Sequence, residues 1–261
     1  MPLHVKHYPD VTAGEKPVLL LIHGLFGSLE NLGGIARLLA DDFDLYAIDL
    51  PNHGRSGHFD CTSLEAMAET VYAWIAALGF SKLHILGHSL GGKVAMEIAL
   101  LHPELVGRLV VIDIAPVHYE PHHHDVFSGL LSIAPETLTS RKEADLQLQH
   151  HVPEVAVRSF LLKNLVKQDD GGFAWRMNLS TLHNDYAELI KGNRADSEFC
   201  GEVLFLKGGE SDYIQRHHWQ DIIEIFPNAS VKIISDTGHW LHAEKPETVA
   251  RLTKRFLLNE S

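Results

Sequence analysis

The sequence has little cysteine and no apolar run long enough to cross a membrane. Its two cysteines, Cys61 and Cys200, belong to no CxxC pair, which indicates two reduced thiols and neither a disulfide framework nor a zinc site. A membrane helix needs about 18 consecutive apolar residues, and no stretch approaches that length. The first residues, MPLHVKHYPD, also lack the apolar segment of a signal peptide. We therefore expect a cytoplasmic protein with no membrane partner.

Positive charge is also scarce. The 261 residues include 34 Asp and Glu against 22 Lys and Arg, which gives a formal net charge of −12. Nucleic-acid binding depends on clustered basic side chains, so this balance argues against a nucleic-acid partner. The length suits one large domain, or one domain that carries an insertion, and the composition leaves the oligomeric state open.

What the sequence does contain is a regular alternation of short apolar runs and helical patterns. Runs rich in Val, Ile and Leu, each closed by a turn residue, are typical of buried parallel strands. They occupy residues 17–24, 43–50, 83–87, 109–116, 202–209 and 230–238. Helical patterns lie at 63–79, where Ser63 is a suitable N-cap, and at 90–104, 217–226 and 245–258. We predict an α/β fold with helices on both faces of a mostly parallel sheet.

Residues 117–199 break this alternation. They carry helical patterns at 124–134 and 154–166 and a DDGG turn at 169–172, with no clear Val/Ile strand. We predict a mostly helical insertion between two sheet strands. The predicted division is a first part of the core at 1–116, a helical cap at 117–199 and a second part of the core at 200–261.

The segment LGHSLGGK, residues 86–93, joins a strand run to a helix pattern through a tight turn. A G-x-S-x-G turn between strand and helix holds its serine in a strained backbone conformation, clear of the sheet and at the helix N-terminus. Gly87 and Gly91 suit this turn because a Cβ at either position would collide with a neighbouring strand or helix. We interpret Ser89 as a nucleophile, with the backbone N–H of Leu90 directed at a developing oxyanion.

A serine hydroxyl is a poor nucleophile until a histidine accepts its proton. The chain has 19 histidines, so position decides among them. His239 follows the last strand run and a glycine, and it precedes the terminal helix pattern. That position lies at the edge of a parallel sheet where α/β sites form. We predict His239 as the general base, and His242, three residues further on, as a structural residue.

The motifs taken together are similar to those of one family. The segments LIHGLFGSLENLGGIA, DLPNHGRS, GHSLGGKVAMEIA, VVIDIAPVHY and TGHWLHAEKPE resemble, in sequence and in order, the α/β-hydrolase superfamily, and within it bacterial esterases of the YbfF type. The resemblance spans nearly the whole chain. It implies a mostly parallel eight-stranded core, a helical cap, a Ser–His–acid triad and ester hydrolysis without a cofactor.

The resemblance also implies roles for two loops. In the motif HGLFGS it puts a second oxyanion donor at the backbone N–H of Leu25, and it puts Phe26 in the wall of the acyl pocket. In DLPNHGRS, His53 and Arg55 are expected to be structural and to hold their loop beside the site.

Two aspartates compete for the third position of the triad. Asp212 ends the GGESD segment, which has the usual G-x-x-D spacing of the family, and Asp113 lies in VIDIAP at the end of another strand run. Each also has a structural interpretation, since an aspartate can cap a turn or bind loop amides. DIAP resembles the variant of the family in which the acid follows that strand. We therefore favour Asp113 and keep Asp212 as the alternative acid.

No motif indicates a metal or a cofactor. The PHHHD run at 121–125 has three consecutive histidines, which converge poorly on one ion, and no constellation of Cys, Asp or Glu at ligand spacing accompanies them. We interpret the run as a solvated loop of the cap. The glycine-rich segment GLFGSLENLGG lacks both GxGxxG and a GK[ST] ending, so it predicts no phosphate site.

The resulting hypothesis is a serine carboxylesterase that hydrolyses small to medium acyl esters of small molecules through an acyl-enzyme. The same residues would serve a thioesterase, an amidase or a C–C bond hydrolase. Dehalogenases and epoxide hydrolases need a carboxylate in place of Ser89 and are disfavoured. A non-catalytic small-molecule binding protein is the remaining alternative. Several residues supply apolar surface in the cap, and we expect most of them to pack the cap itself, namely Phe127, Leu130, Leu131, Phe160, Leu161, Trp175 and Tyr186.

Overall fold

Strands and helices alternate through the first part of the chain, as the apolar runs predict. The structure is a computed structural model, and it describes residues 3–8, 16–169 and 171–259. In chain order the elements are β1 (Val5–Tyr8), β2 (Val18–Ile22), α1 (Gly33–Leu39), β3 (Asp44–Ile48), α2 (Leu64–Ala77), β4 (Leu83–His88), α3 (Leu90–Leu101) and β5 (Val106–Ile112).

Helices dominate the next part of the chain, and the alternation then returns. Residues 117–199, called the cap segment below, carry α4 (His124–Ser132), α5 (Arg141–Leu148), α6 (Val155–Leu161), β6 (Leu165–Lys167), β7 (Phe173–Trp175), α7 (Leu179–Asn184) and α8 (Tyr186–Leu189). The chain ends with β8 (Glu202–Gly208), α9 (Trp219–Ile225), β9 (Ala229–Ile234), α10 (Leu241–Glu244) and α11 (Pro246–Leu257). The domain boundaries at 117 and 199 stay a prediction.

The main sheet is mostly parallel, as predicted. Its order is β1-β3-β2-β4-β5-β8-β9, and only the edge strand β1 runs antiparallel to its neighbour β3. In the part of the chain that the structure describes, the sheet has seven strands, not the eight that the resemblance implies. The count differs because β1 is itself an edge and no described strand pairs with its outer side.

Alternate side chains of the strands point to opposite faces, and each face packs against its own helices. On β2, Leu20 and Ile22 contact the layer that contains α2 and α3. Leu19 and Leu21 contact the opposite layer, which contains α1 and α11. Helix α1 follows β2 and helix α3 follows β4, and these helices lie on opposite faces of the sheet, so the loops after β2 and β4 diverge. The carboxyl ends of these two strands therefore form the crevice where α/β proteins place their sites.

Lys93 of α3 joins both ends of the cap segment to the sheet layer. Its side chain is buried, and its ammonium group donates to the carbonyl oxygens of Val117 and Lys191 at 2.7 and 2.6 Å. The Asn193 amide donates to the carbonyl of Lys93 and to the Glu97 carboxylate, both at 2.9 Å. Helix α3 thus fixes the two crossings by which the chain enters and leaves the cap segment.

The structure confirms one local prediction and corrects another. Ser63 caps α2 by accepting a hydrogen bond from the N–H of Ala66 at 3.1 Å. The cap segment, for which the sequence predicts no strand, contains a small antiparallel ribbon of β6 and β7, which precede and follow the DDGG segment in the chain. Each of its strands has three residues, too few for an alternating pattern to emerge from the sequence.

The glycines allow a direct test of backbone crowding. A Cβ on Gly91 would lie 2.3 Å from the carbonyl oxygen of Ile22, whereas a Cβ on Gly34 would meet nothing within 4 Å. We expect Gly91→Ala to destabilise the protein by about 1–3 kcal/mol, because α3 must move away from β2. The matched variant Gly34→Ala should not lower stability, since alanine is favoured over glycine within a helix. Thermal unfolding of both variants checks this, and an equally stable Gly91→Ala protein would contradict it.

Candidate active site

The tight turn between β4 and α3 holds Ser89 in the strained conformation predicted for it. Its φ is 54° and its ψ is −121°, outside the usual regions for a side-chain-bearing residue. The glycines admit this geometry, because a Cβ on Gly87 would lie 2.2 Å from the carbonyl oxygen of Gly91. The Ser89 side chain consequently stands at the N-terminus of α3, beyond the carboxyl end of β4.

His239 lies in the loop after β9 and reaches Ser89 across the carboxyl edge of the sheet. Its Nε2 is 3.0 Å from the Ser89 hydroxyl oxygen, and its Nδ1 is 2.8 Å from a carboxylate oxygen of Asp113. A carboxylate only accepts hydrogen bonds, so Nδ1 carries the proton in this arrangement and Nε2 is free to accept from the hydroxyl.

Asp113 lies just after β5 and is fully buried. Besides His239, its carboxylate accepts hydrogen bonds from the N–H of Gly208 at 2.9 Å and from the hydroxyl of Ser211. The residue has a positive φ of 52°, which turns the side chain toward the neighbouring strand β8. These donors satisfy a buried charge that would otherwise be costly, and they orient it toward the histidine.

The alternative acid, Asp212, does not lie beside the histidine. Its side chain is exposed, while the preceding residue, Ser211, is buried and donates to Asp113. The GGESD loop therefore contributes a serine to the site where its spacing suggested an aspartate. Sequence reasoning missed Ser211, because no motif separates these adjacent polar residues until the direction of each side chain is known.

Leu25 and Leu90, the two predicted oxyanion donors, lie near Ser89 and share the wall of one cavity with it. Leu90 is the first residue of α3, so its N–H has no partner within the helix. Leu25 lies in a turn closed by the N–H of Gly27 and the carbonyl of Gly24 at 3.0 Å. The Asn164 amide of the cap segment donates to the Phe26 carbonyl at 2.7 Å and holds this turn from above.

Buried polar groups hold the loops beneath the site. His23 donates from Nδ1 to the Gly24 carbonyl at 2.8 Å and accepts from the Leu50 N–H at 3.0 Å. His53 is buried and packs edge-on against the ring of His23. Arg55 contributes its backbone N–H, which donates to Asp49 at 2.8 Å. His53 and Arg55 thus have structural contacts beside the site, as predicted.

Two further histidines lie behind His239. The Nε2–H of His88 donates to the carbonyl of His239 at 2.9 Å, and the ring of His242 lies 4.1 Å from that of His88. Burial lowers the pKa of His88 well below its ordinary value, and the neighbouring His242 and His239 lower it further. Burial also lowers the pKa of His242 to about 3. Both rings are therefore neutral at neutral pH.

The histidine run at 121–125 borders the site, and its interpretation as a solvated loop is wrong for one member, His123, which is partly buried, whereas His122 and His124 are exposed. His122 Nε2 is 2.7 Å from the Tyr213 hydroxyl, and His123 Nδ1 is 2.6 Å from the Tyr186 hydroxyl. Burial lowers the pKa of His123 to about 3. The reason is the packing of Phe127, buried one turn later in α4, which brings this part of the loop toward the core.

Two cavities meet at Ser89. The larger has a volume of about 370 Å³, and the residues of interest in its wall are Phe26, Val126, Phe160, His239, Trp240 and His242. The smaller has a volume of about 30 Å³, with a wall that includes Leu90, Tyr119, Tyr186, Leu189 and Tyr213. Leu25, Ser89 and His123 line both.

Neither a metal centre nor a membrane span emerges from the described part of the chain. Residues 3–8, 16–169 and 171–259 contain no group of three or more His, Cys, Asp or Glu side chains placed to hold one ion. None of their helices combines the length and apolar character that a bilayer crossing requires.

Known proteins share both the sequence and the fold. The family model described as alpha/beta hydrolase fold matches residues 17–246. The chain belongs to the α/β-hydrolase family. Esterase YbfF of Escherichia coli is 35% identical over 98% of this chain and 99% of its own length. The sn-1-specific diacylglycerol lipase ABHD11 of Mus musculus is 36% identical over 92% of this chain and 81% of its own length.

A solved structure extends the likeness to three dimensions. A marine microorganism esterase superposes with a TM-score of 0.93 and 37% identity, covering 97% of this chain and 98% of that chain. The resemblance drawn from the motifs is confirmed, as is the α/β-hydrolase fold. The chain is accordingly a hydrolase of this family.

The two aspartates are expected to respond differently to the same substitution. Asp113→Asn should lower kcat for an ester by about 10⁴-fold, because an amide cannot stabilise the imidazolium or fix its tautomer. Asp212→Asn should cost at most about ten-fold, since it alters only an exposed loop. Steady-state hydrolysis of p-nitrophenyl acetate measures both, with thermal unfolding as the control for folding. If Asp212→Asn loses most of its activity while Asp113→Asn keeps a kcat near that of the wild type, the triad acid is Asp212.

Buried histidines are expected to make the protein less stable as the pH falls. Burial lowers the folded-state pKa of both His53 and His242 to about 3, whereas a histidine of the unfolded chain titrates at about 6.5. Between these values the unfolded chain binds more protons. The stabilisation is therefore complete above about pH 6.5 and is lost progressively toward about pH 3. The melting temperature should decrease from about pH 7 to about pH 4.5.

A matched pair of variants isolates this effect from the titration of carboxylates. His242→Gln removes one buried histidine and should flatten the dependence of the melting temperature on pH. His150→Gln removes an exposed histidine of the cap segment and should keep the wild-type slope. If the melting temperatures of the two variants depend equally on pH, His242 does not contribute to the loss of stability at low pH.

Proposed function

We propose that this protein is a serine carboxylesterase that hydrolyses small to medium acyl esters of small molecules through an acyl-enzyme. The observation that carries the proposal is the line of partners from Ser89 through His239 to the buried Asp113, with separations of 3.0 and 2.8 Å. An imidazole held between a hydroxyl and a carboxylate is the arrangement that activates serine. The relatives named as an esterase and a lipase support an ester as substrate.

In the first half-reaction, the Ser89 hydroxyl oxygen attacks the carbonyl carbon of the ester while Nε2 of His239 takes its proton. The carbonyl oxygen becomes negatively charged and accepts hydrogen bonds from the backbone N–H groups of Leu25 and Leu90. Asp113 stabilises the imidazolium through the Nδ1–H. Nε2–H then protonates the leaving alkoxide oxygen, the C–O bond breaks, and the alcohol departs from an acyl-Ser89 intermediate.

In the second half-reaction, a water molecule replaces the alcohol. Nε2 of His239 takes a proton from the water, which attacks the acyl carbon under the same two N–H donors. The protonated histidine returns its proton to the Ser89 oxygen, and the carboxylic acid leaves. Every proton transfer uses one histidine, which explains why its orientation by Asp113 matters in both halves.

We also propose that the cap segment selects the substrate. His123 and Phe160 of this segment line the larger cavity, and Tyr186 and Leu189 line the smaller one. The nucleophile, the base, the acid and both oxyanion donors all come from outside it. Loops carried on a rigid scaffold are the usual place for variation in specificity, so this division of labour supports a cap that chooses substrates without performing the chemistry.

The same residues would also serve a thioester, an amide or a C–C bond substrate, since the mechanism depends only on an electrophilic carbonyl. The names of the relatives favour the ester. A non-catalytic binding protein on this fold would have no need of an activated serine, so the reactivity of Ser89 separates that alternative from every hydrolase.

Replacing the nucleophile should abolish activity and leave the fold intact. Ser89→Ala is expected to lower kcat for p-nitrophenyl acetate by about 10⁶-fold, because no other group can form the acyl-enzyme. A fluorophosphonate probe should label the wild-type protein and not the variant, since only an activated serine reacts.

Ser180→Ala is the matched control, because it makes the same change at an exposed serine of the cap segment. It should retain both hydrolysis and labelling. Substantial esterase activity in purified Ser89→Ala protein would exclude the proposed mechanism, and a wild-type protein that the probe does not label would favour a binding function.

A further inference from the structure

The site is asymmetric about Ser89. A cavity of about 370 Å³ opens on one side and a cavity of about 30 Å³ on the other, and Leu25, Ser89 and His123 lie at their junction. A tetrahedral intermediate on Ser89 carries two substituents besides the oxyanion, namely the acyl chain and the leaving alcohol. The two cavities therefore correspond to these two substituents. The geometry of proton transfer decides which cavity takes the acyl chain and which takes the alcohol.

The general base belongs to the wall of the larger cavity. His239 lines that cavity, and on its other face the ring of Tyr213 stacks on the imidazole, with centroids 3.9 Å apart and planes inclined by 19°. Tyr213 in turn lines the smaller cavity. The tyrosine ring consequently separates the imidazole from the smaller cavity.

Proton transfer now distinguishes the two sides. When the tetrahedral intermediate collapses, Nε2–H of His239 must lie within hydrogen-bond reach of the alcohol oxygen that leaves. The alcohol oxygen, and the group attached to it, therefore lie on the side that His239 lines. The acyl chain is left with the side that His239 does not line, where Leu90 and Leu25 supply the oxyanion donors.

The wall of the smaller cavity is largely apolar, and the hydroxyl groups of its three tyrosines and the ammonium group of Lys93 already have partners. The Tyr119 hydroxyl donates to the Tyr213 carbonyl at 2.5 Å, the Tyr186 hydroxyl is 2.6 Å from His123, and the Tyr213 hydroxyl is 2.7 Å from His122. These contacts fix the three rings in place, so the cavity cannot enlarge easily. A ligand in this cavity would therefore contact mainly aromatic rings and aliphatic carbons.

We infer that the smaller cavity is the acyl site and restricts the acyl chain to about two to four carbons, while the larger cavity accepts a bulky, largely apolar alcohol group. A cavity of this size holds about two water-sized groups, which matches the short chain. This inference rests on the proposed function. It also assigns Phe26, which lines the larger cavity, to the alcohol side, in contrast to the acyl pocket that the family resemblance implies for it.

Two series of esters test the assignment on the wild-type enzyme, each varying one side of the substrate. p-Nitrophenyl esters from acetate to octanoate lengthen the acyl chain, and acetates of ethanol, butanol and octanol lengthen the alcohol. Release of acid, followed in a pH-stat, gives kcat/KM for both. In the first series, we expect kcat/KM to be highest for acetate or propionate and at least about ten-fold lower for hexanoate. In the second series, we expect kcat/KM to rise about ten-fold from ethyl acetate to octyl acetate.

A matched pair of variants then tests the wall itself. Leu189→Ala removes three carbons from the wall of the smaller cavity. It should raise the ratio of kcat/KM for the hexanoate ester to kcat/KM for the acetate ester by about ten-fold. Leu182→Ala makes the same change at a buried leucine of the cap segment that lines neither cavity, and it should keep the wild-type ratio. Because the ratio is taken within one protein, partial loss of folded enzyme does not alter it.

The outcomes separate this inference from the function on which it depends. Labelling of Ser89 by the fluorophosphonate probe, together with an acyl optimum at octanoate, would overturn the inference and leave the serine esterase intact. A soluble Leu189→Ala enzyme with an unchanged ratio would also overturn it. If the protein hydrolyses no ester and the probe does not label Ser89, both the inference and the proposed serine esterase function are overturned. If Leu189→Ala does not fold, the two wild-type series decide alone.

Discussion

The close approach of β4, α3 and β2 at the nucleophile turn is the constraint on which the rest of the site depends. A Cβ on Gly87 or Gly91 would lie within 2.2 or 2.3 Å of a backbone oxygen, so only glycine permits this spacing. The same crowding forces Ser89 to a φ of 54°. It also brings the first N–H of α3 near the loop after β2. One backbone contact thus positions Ser89, the proposed nucleophile, together with Leu25 and Leu90, the proposed oxyanion donors.

Asp113, the proposed triad acid, illustrates how the carboxyl edge of a parallel sheet assembles distant residues. Asp113 and His239 are 126 positions apart in the chain, and Ser89 and His239 are 150 apart. A fully buried carboxylate is costly unless hydrogen bonds satisfy it, and Gly208 and Ser211 supply them from the end of the adjacent strand β8. The GGESD loop, whose spacing suggested an acid, thus donates a hydrogen bond to Asp113 from Ser211.

The cap segment and the nucleophile share one helix as their anchor. Helix α3 carries Ser89 at its N-terminus, and one turn later Lys93 binds both crossings of the cap segment. Helix α3 and the hydrogen bonds of Lys93 therefore position the cap residues that line the two cavities relative to Ser89. This arrangement would support the size selectivity inferred above, because a small cavity discriminates between substrates that differ by one methylene group only when its wall cannot move away.

The sequence by itself determined the features that depend on local pattern. Apolar runs predicted the strands, the G-x-S-x-G turn predicted the strained Ser89, and a glycine after the last strand singled out His239. Tertiary structure alone decided which aspartate faces the histidine, that Ser211 and Tyr213 contact the site, and that His123 is partly buried in the walls of both cavities. The reason is that each of these outcomes depends on the direction of one side chain across a long-range contact. A one-residue change of register turns such a side chain away, and no local pattern records that choice.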